Sequence, residues 1–233
     1  MTTVIKGQPT SLEVREKLAD MGAPVLLQFS AGKDSIAAWL ACQDSGVKVV
    51  PAYLYYVPEL RFVEESLDRF EQYFQTPIHR YPHPSLYRWL NRGIFQAPER
   101  LRVIEAAGLP EPSYEQMWGL IRGELGLKDA WVADGVRAAD SIQRRGSLVR
   151  HGVMKKSSKK VSVVADWLKG EVLGRISVAG IDLPVDYKWF GRSFDGIDAR
   201  FTEPLARFAP DDYEVVRSWF PLIGADRVRH DAY

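Results

Sequence analysis

Residues 30–35, Ser-Ala-Gly-Lys-Asp-Ser, gather two hydroxyls, an ammonium, a carboxylate and a glycine into one short stretch. Ahead of it runs the apolar segment Val25-Leu26-Leu27-Gln28-Phe29, and behind it the helical pattern Ile36, Ala37, Trp39, Leu40. A strand feeding a tight polar turn and then a helix start aims backbone N–H groups at an anion. Gly32 has no Cβ to keep the backbone away from a ligand. Ser30 and Ser35 offer further donors around Ala31, Lys33 offers a compact positive charge, and Asp34 suits a hydrated Mg²⁺ shared with phosphate oxygens. The chemistry this points to is the handling of a nucleotide pyrophosphate. A second polar cluster, Asp134-Gly135-Val136-Arg137, follows the apolar stretch Ala130–Ala133, and the Arg137 fork suits two phosphate oxygens.

The elements that position these residues follow from hydrophobic period. Residues 11–21 predict an amphipathic helix. Residues 47–56 predict a second strand, almost continuously apolar as in a parallel sheet covered on both faces. Residues 60–74 place Leu60, Phe62, Val63, Leu67, Phe70 and Phe74 at helical spacing. A short third strand is expected at 77–82, helices broken by Pro98, Pro110 and Pro112 over 85–126, and a fourth strand at Ala130–Ala133. Residues 162–192 predict a short helix with hairpin-like segments around Gly180 and Gly191. A helix at 210–220 has Asp211 or Asp212 at its start as a cap. This alternation predicts an α/β fold, a parallel, twisted, five-stranded sheet flanked by helices. Both polar clusters then lie at carboxyl ends of strands, where ligands of such sheets bind.

Bulk properties narrow the class. A chain of 233 residues suits a single domain over 1–233, with residues 1–24 as lead-in, 25–143 as the nucleotide-binding core, and 144–233 as a basic loop and C-terminal elaboration. The formal charge of +1 asks for neither nucleic acid nor membrane as a whole. The lone cysteine, Cys42, forms no internal disulfide and builds no cysteine-based metal site. Its plain reading is a small buried hydrophobe. No signal-peptide core or membrane-length run is visible, so a cytoplasmic location is expected, with no membrane partner.

Two familiar phosphate loops do not fit. A Walker loop needs Gly-x-x-x-x-Gly-Lys-Ser/Thr, but Asp34 follows Lys33 and Leu27 stands five before Gly32. A dinucleotide Gly-x-Gly-x-x-Gly fails because Gly32 has no glycine partners nearby. The stretch instead resembles the pyrophosphatase loop of the adenine nucleotide α-hydrolase superfamily, Ser-x-Gly-x-Asp-Ser. Within it, Lys33 before Asp34, the run Gly135-Val136-Arg137-Ala138-Ala139-Asp140-Ser141-Ile142-Gln143-Arg144, and Pro204-Leu205 before the Asp211–Val216 helix resemble the sulfonucleotide (PAPS) reductase-like family.

The resemblance implies a Rossmann-like sheet, ATP or a related adenine nucleotide as ligand, Mg²⁺ beside Asp34, and cleavage between the α and β phosphates to adenylate an acceptor. It implies nucleotide contacts from Ser30, Ala31, Gly32, Lys33, Asp34, Ser35, Gly135, Arg137, Ser141 and Arg144, with Lys33, Asp34 and Arg137 catalytic. Tyr53, Tyr55 and Tyr56 end the second strand where adenine would lie, with Tyr55 the chosen contact. Thiol-dependent members use a cysteine near their C-terminus. Residues 224–233 contain none, which speaks against sulfonucleotide reduction, and one cysteine supplies no iron–sulfur cluster. Family members often dimerise, so a homodimer is carried as an expectation. The alternative is a nucleotide-sensing module acting through a partner protein.

Plainer readings stand beside these. Arg137 and Arg144 suit an ion pair with Asp140 or Asp134. The tyrosines, and Trp167, Tyr187, Trp189 and Phe190, suit core packing. His79 and His83 are four apart, but Pro82 and Pro84 forbid the helix that would make them a metal pair. Between Arg144 and Lys160 the chain is strongly basic, including Arg145, Arg150, Lys155 and Lys156. A solvated loop is the default reading of such a run. Its place just after the anion motif suggests a lid over phosphates or a grip on an anionic acceptor, either nucleic acid or a partner protein.

Overall fold

A computed structural model describes residues 3–225. In chain order the elements are α1 (Ser11–Asp20), β1 (Val25–Gln28), α2 (Lys33–Asp44), β2 (Val49–Tyr55), α3 (Arg61–Phe74), β3 (His79–Pro82), α4 (Pro84–Asn91), α5 (Pro98–Ala107), α6 (Tyr114–Glu124), β4 (Val132–Asp134), α7 (Ile142–His151), β5 (Met154–Lys155), β6 (Lys160–Ser162), α8 (Lys169–Val178), α9 (Asp186–Phe190), α10 (Ala199–Phe208) and α11 (Pro210–Trp219). The fold is α/β, with one sheet ordered β3-β2-β1-β4-β6-β5. Strands β2, β1, β4 and β6 pair in parallel, and β5 pairs antiparallel with β6. The sheet therefore has six strands rather than five. The additional pairing lies inside the basic stretch, where two strands of two and three residues are too short and too lysine-rich to show a period.

The chain divides into two compact units. One gathers the residues up to Tyr53, Thr76–His79 and Trp118–Leu183; the other gathers Leu54–Gln75, Arg80–Met117 and the residues from Pro184 onward. The residues from 144 onward fall in both, with the division between Leu183 and Pro184.

In the first unit, β1 is buried along Val25, Leu26 and Leu27, as expected of a strand covered on both faces. Helix α2 buries Ile36, Ala37, Trp39, Leu40 and Cys42. Trp39 meets Phe29 edge-on at 5.1 Å, and α2 packs on α8, β1 and β4. Burial pushes the Cys42 thiol up to about 12, so no thiolate forms there near neutral pH. Helix α1 opens on a capping box: Thr10 Oγ1 accepts from Glu13 N while Glu13 Oε2 accepts from Thr10 N. No helix among the described residues is long and apolar enough to cross a membrane.

In the second unit, α3 buries Phe62, Val63, Leu67, Phe70 and Phe74; Phe70 stacks on Phe74, while Phe62 joins an aromatic cluster with Phe190, Phe194 and Phe201. Trp189 and Phe190 pack there as core side chains, and Trp189 also stacks on Phe208. Asp212 does not cap its own helix. Its two carboxylate oxygens accept from Arg61 N at 2.7 Å and Phe62 N at 3.1 Å, closing the open start of α3. Pro204 and Leu205 lie inside α10, and α11, which carries Asp211–Val216, follows it directly. No hairpin forms around Gly180 or Gly191; those residues follow α8 and α9.

Asp186 is 5% exposed, with Oδ2 accepting from Phe194 N at 2.9 Å and Oδ1 unpartnered. Burial pushes its carboxyl up to about 6. A carboxyl whose folded value lies above its unfolded one stabilises the fold at low pH, and that contribution is lost as pH rises through about 6. Asp186→Asn is therefore expected to be more stable than the parent at pH 8, by on the order of 2 kcal/mol, with the gap closing near pH 4. Thermal melts across that range check it.

Candidate nucleotide site

Strands β1 and β4 lie side by side, Leu26 opposite Val132 and Leu27 opposite Ala133. Strand order reverses between them, since β2 and β3 continue to one side of β1 and β4 lies on the other. Their carboxyl ends form the crevice where ligands of open α/β sheets bind. The loop after β1 and the turn after β4 both stand there.

The loop is built from its own side chains. Ser35 Oγ accepts from Ser30 N at 3.2 Å and donates to Gly32 O at 2.9 Å. Ser30 Oγ lies 3.3 Å from Ser35 Oγ and accepts from Gly32 N at 3.4 Å. The two hydroxyls expected to face phosphate therefore hold the loop shape. The left-handed backbone falls at Ala31, with φ +54°, not at Gly32, which is the extended N-cap of α2. An alanine there stores about 1 kcal/mol of strain. Ala31→Gly is expected to raise stability by ~0.5 kcal/mol, read as a shift in the denaturant midpoint at unchanged slope. Gly32 lacks a side chain, so no side chain caps the first turn of α2.

Gly135 is required by contact. A Cβ on it would stand 2.5 Å from the carbonyl oxygen of Asp34, 2.7 Å from its carbonyl carbon and 3.1 Å from Ser35 N. The turn after β4 thus presses on the first turn of α2, and only glycine allows that approach.

Across this junction five charged groups alternate in sign. Lys33 Nζ bonds Asp34 Oδ2 at 2.7 Å. Arg137 Nε lies 2.9 Å from Asp34 Oδ1, and Arg137 Nη2 bonds Asp140 Oδ1 at 2.5 Å. Asp140 Oδ2 takes Arg144 Nη1 at 2.6 Å and also accepts from Arg137 N at 3.1 Å. Arg137 is 4% exposed. Its Nε and Asp34 Oδ1 attract across the gap without the alignment of a hydrogen bond, and Nη1 has no partner. A buried guanidinium with one nitrogen unsatisfied is costly unless an anion completes it.

Asp134 ends β4, and its Oδ1 accepts from Val136 N at 3.1 Å, shaping the turn that delivers Arg137. Desolvation raises its carboxyl above the ordinary range, while Ser162, Val136 N, Lys160 and Lys155 oppose the rise.

The expected residues do not all meet. Lys33, Asp34, Gly135, Arg137 and Arg144 form one cluster with the loop at 30–35. Ser141 serves as N-cap of α7, accepting from Arg144 N at 3.1 Å. Tyr55 ends β2 half-buried, its phenol pushed up by burial and then by Tyr87. Tyr56 is packed between His83 and Trp89. His83 caps α4 by accepting from Ser85 N on Nδ1, with Nε2 2.5 Å from Tyr114 Oη. Burial, helped by Arg88, pushes His83 down to about 4, so it is neutral near pH 7. No group of three or more His, Cys, Asp or Glu side chains placed for a metal occurs among the described residues. Asp140 bridges both arginines, a larger role than the single ion pair its sequence position suggests. Its position three after Arg137 and four before Arg144 was the available signal.

The basic stretch is ordered rather than a free loop. It runs through α7 and the β5–β6 hairpin, whose turn holds Lys159 at φ +49° beside Asp129. The cysteine-free segment at 224–233 is described only as far as residue 225; the remainder lies outside the described residues.

No protein-family model matches the chain, and no curated protein matches it. One solved structure to which it is similar is the NH3-dependent NAD synthetase from Campylobacter jejuni subsp. jejuni NCTC 11168, in complex with nitrate ion. The two are 14% identical, with 95% of each chain covered and a TM-score of 0.44. So distant a likeness decides nothing about chemistry.

Proposed function

We propose that the chain is an ATP pyrophosphatase-type enzyme of the adenine nucleotide α-hydrolase kind, cleaving ATP between its α and β phosphates to adenylate an acceptor. The PAPS reductase-like pattern of its loop and of Gly135–Arg144 supports the finer placement. The observation that carries the reading is Arg137: buried, held by Asp34 and Asp140, with Nη1 left for an anion at the switch of strand order.

In this reading the N-terminal turn of α2 and Lys33 hold the outer phosphates, and Arg137 holds the α-phosphate. An acceptor oxygen attacks the α-phosphorus, the bond to the β-phosphate oxygen breaks, pyrophosphate leaves, and the acceptor's proton passes to solvent. Fixed positive groups aimed at the charge gathering on that leaving group supply most of the acceleration. Asp34 is the carboxylate that would hold Mg²⁺ together with phosphate oxygens and water, and since Oδ1 faces Arg137 Nε and Oδ2 faces Lys33 Nζ, one of these cations would give way to it. When bound, it would neutralise phosphate charge. Cys42, buried and un-ionised, supports no thiol route in this chain.

The test is release of labelled product from α-³²P-ATP with Mg²⁺, with and without short nucleic acids and sulfate. AMP with pyrophosphate is the expected result, and the addition that stimulates it names the acceptor class. ADP would overturn the reading. Thermal protection by ATP without turnover would favour the nucleotide-sensing alternative, which the closed Lys33–Asp34 pair also suits.

A further inference from the structure

Between Ser141 and Ala165 the chain carries Arg144, Arg145, Arg150, Lys155, Lys156, Lys159 and Lys160 without a single Asp or Glu. The overall charge is only +1, so the rest of the chain is net acidic and the surplus is local. The stretch is ordered, which separates it from an ordinary solvated charge run. Helix α7 buries Leu148 alone among its ten residues and exposes Arg144, Arg145 and Arg150. The β5–β6 register then sets Lys155 directly opposite Lys160 on one face of the sheet edge.

Like charges opposed across a strand pair destabilise it. The Asp134 carboxylate at the end of β4 bears on both lysines and offsets part of that repulsion. Arg144 is held by Asp140 and Lys159 by Asp129, whereas Arg150 and Lys156 are exposed with no acidic partner among the described residues. A local surplus of cations of this kind attracts an anion of many charges.

We infer that α7 and the β5–β6 hairpin form a binding face for the phosphate backbone of a nucleic acid. The helix is about 15 Å long, enough to follow roughly two or three successive phosphates of one strand of a duplex. Its first turn carries Arg144, a member of the charged chain of the nucleotide site, so the backbone would run toward that site. A protein partner would call for aromatic anchors at the centre of the face. Here the exposed apolar side chains on α7 are Ile142, 92% exposed, and Val149, with no ring among them. The exposed ring on α7 is His151 alone, so single strands find little stacking to favour them over duplex. Binding is therefore to the backbone, independent of sequence, and steep in salt. As a binding face this stands apart from the ATP reading; as the identity of the acceptor it rests on that reading.

The test is fluorescence anisotropy of a short labelled DNA duplex, and of one of its strands, with the full chain between roughly 50 and 200 mM salt. Binding is expected to fall steeply with salt, the duplex at least as tight as the strand. Arg150→Gln combined with Lys156→Gln is expected to lower the salt slope by about two for the duplex. Lys169→Gln combined with Lys188→Gln, exposed lysines elsewhere, is expected to leave it unchanged. No binding at the lowest salt, or an unaltered slope in the first pair, overturns the inference. So does competition by polyglutamate equal to duplex at equal charge, which would indicate an acidic polypeptide, and so does a strong preference for the single strand. AMP release is read separately: turnover without DNA binding removes this face alone, and DNA binding without turnover removes the ATP reading alone.

Discussion

Arg137→Lys is expected to leave a folded chain whose AMP formation has fallen about 100-fold or more. Lysine keeps the charge but replaces a planar fork by a single point. In the structure Arg137 sets Nε against Asp34 and Nη2 on Asp140, and keeps Nη1 buried without a hydrogen-bond partner. An ammonium cannot meet two carboxylates and still aim at a phosphate. Arg137→Met goes further, leaving Asp34 Oδ1 and Asp140 without their buried cation, and is expected to cost about 3 kcal/mol of stability. The pair separates the two roles: denaturation curves read the methionine variant, while nucleotide affinity and turnover read the lysine variant. Near-normal turnover in Arg137→Lys would remove this residue from the chemistry.

Gly135→Ala is expected to have the second large effect. The added methyl would meet backbone atoms of Asp34 at 2.5 and 2.7 Å, and backbone cannot swing aside as a side-chain tip can. Either β4 backs away from α2 or the first turn of α2 is displaced, and both separate Arg137 from Asp34. A loss of 2–3 kcal/mol, roughly the upper range for overpacking, is expected together with loss of protection by ATP. Gly174→Ala, in α8 with nothing near the added methyl, is the matched comparison and is expected to stabilise by about 0.5–1 kcal/mol. Equal melting temperatures for the two variants would show that the close approach does not constrain the site.

How far the sequence could be read depended on the range of the interaction. β1, the Ser30–Ser35 loop and α2 were legible because their signal is local: an apolar run, a polar turn and a helical period in succession. The same holds for β4 and the turn to Arg137. The β5–β6 hairpin was not legible, since two or three residues per strand set no period and lysine is a poor strand former. The role of Asp212 was hidden for another reason. At the start of α11 it looks like a cap for that helix, yet it serves α3, about 150 residues earlier, a pairing only tertiary structure reveals. Within the site, residue types indicated phosphate chemistry but not their employment. Ser30 and Ser35 proved to brace the loop, Ser141 to cap a helix, and Ala31 rather than a glycine to take the left-handed turn. Asp140 emerged as a bridge because two arginines happened to be placed to reach it.

The edge formed by β5 has a further consequence. An open strand edge offers unpaired N–H and C=O groups to any passing strand and is the usual route to sheet-to-sheet aggregation. Here the edge strand is two residues long, with lysine at its end facing a second lysine across the hairpin. The adjoining N–H of Val153 is already taken by the Gln8 side chain at 3.1 Å. A second molecule approaching edge to edge would meet its own charge and find little left to pair with. The lysines that stand ready for an anion therefore also keep copies of this chain from zipping together.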